Sequence, residues 1–254
     1  MTGIRVTVVS TRGSAPREAG AQMLVTANGI TGTIGGGALE WEAMAQARAM
    51  LAEAADPLER TVSLGPGLGQ CCGGAVTLRF EPAEALERAQ GAPVWIWGAG
   101  HVGRALVHTL SPLPEVGLTW VDTAPGRFPD DMPDRVTRLV AADPPRLMPH
   151  APTGAHHLIL TYSHDIDLAL CDAALRRGFA SCGLIGSGTK WARFRSRLAG
   201  MGHGDAEISR IDCPIGDPSL GKHPQAIAVG VAARLLRELL HKESATERRM
   251  GNSA

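Results

Sequence analysis

The chain has 254 residues, and 25 Lys and Arg balance 25 Asp and Glu, so no global field draws it to nucleic acid or to an anionic membrane. Aromatic residues make up 4% of it, too few for a base-stacking platform, and no apolar run approaches the length of a membrane span. The length suits two modest domains, or one large one, with a respectable core. The first dozen residues are too short and too polar for a signal peptide, and five cysteines without paired spacing fit a reducing compartment, so a cytoplasmic location is expected.

Residues 4–10, rich in β-branched side chains, read as a strand, followed by the turn 12–17 and a second strand at 22–26. Asn28-Gly29 is a hairpin signal leading into a strand at 30–34. After Gly35-Gly36-Gly37 the Ala-, Met- and Glu-rich segment 38–55 predicts a helix, ended by Asp56-Pro57. Strands at 60–64 and 75–80 flank the turn Gly65-Pro66-Gly67-Leu68-Gly69-Gln70-Cys71-Cys72-Gly73-Gly74. Residues 1–90 are therefore expected to form a small N-terminal domain of mixed α+β character.

From residue 93 the pattern becomes strand, turn, helix. Strands are predicted at 94–97, 118–121, 157–161, 182–185 and 208–211, with helices at 102–110, 166–177, 189–198 and 224–240. Strands and helices alternating at these lengths predict an α/β fold, a Rossmann-like, doubly wound parallel sheet over residues 93–242. Residues 243–254 are polar and aperiodic and read as a flexible tail.

Gly98, Gly100 and Gly103 form a glycine fingerprint that follows an apolar strand, opens the helix predicted at 102–110, and precedes Asp122 by about 20 residues. Such a turn lets phosphate approach the backbone at a helix N-terminus, while the acid accepts hydrogen bonds from a ribose diol and repels a 2′-phosphate. The alternative is a turn kept for packing alone. Cys71 and Cys72 cannot easily bond to each other, because a vicinal disulfide is strained. A zinc site is disfavoured by the lack of a CxxC. A nucleophilic Cys served by His101, His164 or His223 is one reading. A thiolate offered to a soft metal or to a persulfide-handling partner fits the glycine frame better. Cys171, Cys182 and Cys213 lie among apolar or strand-like residues and read as packing.

His164, beside Asp165, sits at the carboxyl edge of the predicted sheet, where ligands bind. It could donate to a phosphate or a carbonyl, or stand exposed beside a helix cap. Ser187 and Lys190, within Gly186-Ser187-Gly188-Thr189-Lys190, lie on the same edge and suit an anion, with Arg193 beyond them. In the first domain Gly35-Gly36-Gly37 could seat an anion too, with Glu40 better suited to a capping role in the first helical turn.

Six motifs occur in order: Arg12-Gly-Ser-Ala-Pro-Arg17, Thr33-Ile-Gly-Gly-Gly-Ala-Leu-Glu40, Leu68-Gly-Gln-Cys-Cys-Gly-Gly74, Trp97-Gly-Ala-Gly-His-Val-Gly103, Gly183-Leu-Ile-Gly-Ser187 with Lys190 and Arg193, and Cys213-Pro-Ile-Gly216. Together they resemble the XdhC family of xanthine dehydrogenase accessory proteins, also grouped with CoxF-type maturation factors. The resemblance implies a cofactor-insertion chaperone and not an enzyme. Its cargo would be the molybdenum cofactor (molybdopterin), favoured in its sulfurated form and delivered to apo xanthine dehydrogenase or a related molybdenum hydroxylase. It further implies contact with a NifS-type cysteine desulfurase, and a homodimer. On this view Cys71, Cys72 and Gly73 meet the cofactor, with one or both thiols contacting the molybdenum. Gly98, Gly100, His101, Gly103, Asp122, His164, Ser187 and Lys190 hold the remainder. Two departures from the family pattern stand out: the chain begins almost on its first strand, and Gly188-Thr189 replaces basic residues after Ser187. The rival reading is an NAD(P)-dependent Rossmann-fold oxidoreductase that uses 98–103 and Asp122, with His164 or a Cys as acid or base.

Overall fold

The computed structural model describes residues 3–64, 74–86 and 91–251, with side chains through Leu239. Cys71, Cys72 and Gly73 lie outside the described residues. The chain divides into two units, Met1–Arg88 and Ala89–Ala254.

The first unit is a five-stranded antiparallel sheet with one helix. Its strands are β1 (Gly3–Arg12), β2 (Gln22–Val25), β3 (Ile30–Gly32), β4 (Leu58–Ser63) and β5 (Ala75–Ala83), in the order β3-β2-β1-β5-β4. Alternation along β1 turns Ile4, Val6 and Val8 to one face. Helix α1 (Gly37–Glu53) carries Leu39, Ala43, Ala47 and Met50 on one stripe, and these join the β1 residues, Leu78 and Phe80 in a single core. The helix ends where Ala54 takes a left-handed conformation, just before Asp56-Pro57.

The second unit carries a six-stranded, wholly parallel sheet. Its strands are β6 (Ala92–Trp97), β7 (Val116–Asp122), β8 (Val136–Val140), β9 (His156–Ile159), β10 (Ser181–Leu184) and β11 (Ile211–Asp212). The helices are α2 (His101–Leu110), α3 (His164–Arg177), α4 (Gly188–Gly200), the short α5 (Asp205–Ile208) and α6 (Pro224–Gly251). The order β11-β10-β9-β6-β7-β8 is the doubly wound dinucleotide-fold order, with its reversal between β6 and β9. Successive residues of β6 serve opposite cores. Val94 and Ile96 pack with α2 and α6, whereas Trp95 and Trp97 pack with α3, α4 and α5.

Three local features differ from the sequence expectation. Ile208 closes helix α5 and does not begin a strand: Glu207 accepts from the Gly204 N–H at 2.9 Å and fixes the helical turn, leaving β11 only Ile211 and Asp212. Strand β8 is an added, half-exposed edge. Helix α6 continues past Leu240 to Gly251, into the segment expected to be irregular. Among the described residues no helix is long and apolar enough to cross a membrane.

Candidate ligand-binding site

The carboxyl ends of β6, β7, β9 and β10 carry four loops on one edge of the sheet, and the predicted residues of the second unit fall on them. Gly98 follows β6 with φ +122, and a Cβ there would collide with Leu160 O, so only glycine lets the turn pass the neighbouring strand. Gly103 is equally constrained, since a Cβ would meet Gly98 O. Gly100 differs from both: a Cβ there would meet nothing within 4 Å. Packing therefore accounts for the first and third glycines but not for the second.

Helix α2 begins beside Gly100 with no side chain capping its first turn. Its neighbours on this edge are capped, α3 by Ser163, which accepts from Ile166 N–H, and α4 by Ser187, which accepts from Lys190 N–H. The N–H groups at the start of α2 thus have no internal side-chain acceptor. His101 and His164 are both exposed at the starts of their helices, and the His164 ring stands edge-on to Phe194 at 6.4 Å.

Asp122 is buried and turned inward. Its Oδ2 accepts from the Ala99 N–H at 2.6 Å, and its Oδ1 accepts from the N–H and hydroxyl of Thr123 at 2.6 and 3.1 Å. Arg127 Nε lies 2.6 Å from the same Oδ1. The Arg127 guanidinium in turn sits over the ring of Tyr162, 4.2 Å from its centroid. Arg104, from α2, donates to Ala99 O at 3.2 Å and to Arg127 O at 2.9 Å, tying the glycine turn to the loop after β7.

Lys190 has two of its donors engaged, one to Asp167 Oδ2 at 2.5 Å and one to Ile185 O at 2.9 Å. Asp167 Oδ1 accepts from the N–H and hydroxyl of Thr161 at 2.9 and 2.7 Å. Cys171 and Cys182 are buried, and burial pushes both thiols up. The half-buried Cys213 thiol is pushed up to about 11 by burial, against the opposing pull of Lys190. All three are neutral thiols at neutral pH. Among the described residues no group of three or more His, Cys, Asp and Glu is placed to hold a metal ion.

In the first unit the triple-glycine turn is filled from within. Glu40 Oε2 accepts from the Thr33 hydroxyl at 2.6 Å and from the N–H groups of Ile34 and Gly36 at 3.1 and 3.0 Å. The carboxylate takes the place an external anion would need.

Arg104, Arg127, Tyr162 and Asp167 are site-edge residues that single-motif reading passes over. Arg127, five residues after the acid that ends β7, carries the one local signal, a cation in a Pro-Gly turn beside a carboxylate.

Two family models match the sequence: the XdhC Rossmann domain over residues 94–235, and the XdhC and CoxI family over residues 2–62. The uncharacterized protein YqeB of Escherichia coli K12 is 28% identical over 240 residues, which cover 91% of this chain and 42% of that protein. The chain thus spans less than half the length of this relative. The crystal structure of a xanthine dehydrogenase from Bacillus halodurans superposes with a TM-score of 0.72 over 95% of this chain and 92% of that one. At 16% identity, that is a likeness of fold.

Proposed function

Because the chain belongs to the XdhC family, we propose that it is an accessory protein of xanthine dehydrogenase maturation, one that carries the molybdenum cofactor as cargo and gives it to the apo enzyme. A related molybdenum hydroxylase is an equivalent client. The observation that carries this reading is the start of α2, an uncapped helix N-terminus beside the open Gly100, at the point where the strand order reverses. The cargo's phosphate suits that turn, and its pterin ring can hydrogen-bond along the edge that bears His101, His164 and Ser187. Cys71 and Cys72 are the proposed contacts to the molybdenum centre, since a thiolate is a soft ligand. Preference for the sulfurated form, contact with a cysteine desulfurase of the NifS type, homodimerisation and a cytoplasmic location belong to the same proposal.

On this reading the chain's own groups bind and orient the cargo. Among the described residues the exposed imidazoles of His101 and His164 make no hydrogen bond or ion pair with a carboxylate, and Lys190 is engaged by Asp167. The oxidoreductase reading has less support, because Asp122 is buried and turned inward, with both oxygens already holding backbone donors at the position where NAD presents its ribose.

The test is transfer. Protein loaded with molybdopterin, mixed with purified apo xanthine dehydrogenase, should activate that enzyme faster than free cofactor does. The Cys71→Ala/Cys72→Ala variant should retain less cargo while folding normally. Equal activation rates with and without the protein would count against the carrier, and NAD(P)-linked turnover would favour the oxidoreductase.

A further inference from the structure

The loop after β7 and the loop after β9 meet over the carboxyl end of β6, because β6 lies between those two strands. Arg127 supplies the span, and its anchors lie on both sides: Nε at 2.6 Å from Asp122 Oδ1, and the guanidinium stacked 4.2 Å above the Tyr162 ring. In a dinucleotide-binding fold of this order the acid ending the second strand accepts the ribose diol, and the adenosine lies in the crevice at the strand reversal. Here the acid is 3% exposed, its two oxygens already take the Ala99 N–H and the Thr123 N–H and hydroxyl, and Arg127 Nε stands in ion-pair contact with Oδ1 outside hydrogen-bond geometry. A diol arriving there meets a buried, inward-turned carboxylate with one lone-pair site of Oδ2 still open, so the barrier to the adenosine is the Arg127–Tyr162 stack, which an adenine ring would meet.

We propose that Asp122, Arg127 and Tyr162 form a specificity bridge that shuts out the adenosine half of a dinucleotide and leaves the glycine turn to a ligand ending in a phosphomonoester. The glycine turn itself stays open, since Gly100 has no neighbour that would crowd a bound oxygen. The bridge deepens the ligand-site reading of residues 98–103, on which it rests, and does not depend on the cargo containing molybdenum. Tyr162 is the removable member. It is 62% exposed, so its loss opens the crevice without unpairing the buried carboxylate. Arg127 is less suitable as a first variant, because removing it would strand Asp122.

The experiment is ligand-induced thermal stabilisation of the full chain, with inorganic phosphate and NAD as probes and chloride at equal ionic strength as the reference. Wild type should be stabilised by millimolar phosphate and not by NAD. Tyr162→Ala should keep the phosphate response and gain an NAD response, with NAD affinity rising by about tenfold or more. Three results would each overturn the proposal: NAD stabilising wild type as well as phosphate does, no gain of NAD binding in Tyr162→Ala, or no phosphate response in either protein. The outcome is independent of cofactor transfer, because a chain that fails to activate apo xanthine dehydrogenase can still show the phosphate and NAD pattern.

Discussion

Lys190 Nζ and Asp167 Oδ2 form a buried ion pair at 2.5 Å that ties the first turn of α4 to the first turn of α3. The carboxylate is fully buried and the lysine side chain only 10% exposed, so solvent cannot replace either partner. Lys190→Met should therefore cost about 3 kcal/mol, the penalty of leaving a buried charge uncompensated. The double variant Lys190→Met/Asp167→Asn should lose clearly less than the sum of the two single losses. Urea denaturation of the four proteins measures this, and additive effects below about 1 kcal/mol would show the pair to be unimportant.

His157 gives a second prediction, one of pH dependence. Burial, helped by the neighbouring His156, pushes its imidazole down to about 4 from the ordinary 6.5. Its Nδ1 accepts from the indole N–H of Trp97 at 3.2 Å, and its Nε2 is buried without a partner. The folded pKa lies below the unfolded one, so between those values the unfolded chain takes up a proton that the folded chain refuses. Stability is thus full above the ordinary histidine value and falls as pH drops toward 4, by about 3 kcal/mol at the end of the window. His157→Gln retains an acceptor for Trp97 and cannot titrate, so its stability should vary less with pH across this window. Parallel slopes for the two proteins would contradict the assignment.

Glu40 supplies a third, from the opposite direction. Burial raises its carboxyl, but hydrogen bonds from Thr33 and from the backbone of Gly36, Ile34 and Gly35 outweigh that and hold it below the usual glutamate range. The folded pKa is the lower, so this stabilisation is complete above the ordinary glutamate value and is lost as pH falls through the folded one. Glu40→Gln should cost about 1 kcal/mol at neutral pH, and the gap from wild type should close in acid. Thermal melts across that range will show it. A gap that stays constant in acid would mean that the charge is not what the turn holds.

Much of the fold could be read from local pattern, because the determinants were local. Val94-Trp-Ile-Trp is apolar on both faces and runs straight into glycines, and nothing but a central parallel strand before a tight turn accommodates both. Ile208 misled because an isolated Ile beside polar residues has no period, and the helix there depends on Glu207 reaching back to the Gly204 N–H. The site was legible only in part, for a different reason. Lys190 looks like an anion contact until Asp167, 23 positions earlier, is brought beside it by the β9–β10 pairing. Asp122 looks like a ribose acceptor until the fold aims it at Ala99 and Arg127. Arg127 and Tyr162 become neighbours only because β6 lies between β7 and β9. Each of these pairings is made by topology, which no single motif records.

The three glycines of the 98–103 turn separate packing from ligand binding. At Gly98, with φ at +122, a Cβ would collide with Leu160 O, and at Gly103 it would collide with Gly98 O. Both neighbours are backbone atoms that cannot rotate away, so Gly98→Ala and Gly103→Ala should each destabilise by about 2 kcal/mol or more. Gly100 sits at φ −75 with open space around the missing Cβ, so Gly100→Ala should leave the melting temperature nearly unchanged. Gly100→Val should also fold, since no neighbour stands within 4 Å of its Cβ. Its branched side chain would nonetheless stand where phosphate must approach the first turn of α2. Retention of molybdopterin and stabilisation by inorganic phosphate should then fall by about tenfold or more in Gly100→Val, a loss of about 1.4 kcal/mol of binding free energy. Calorimetric titration of the folded variant decides the matter. Normal binding by Gly100→Val would leave the turn a packing device, and the ligand site would have to be sought elsewhere on the chain.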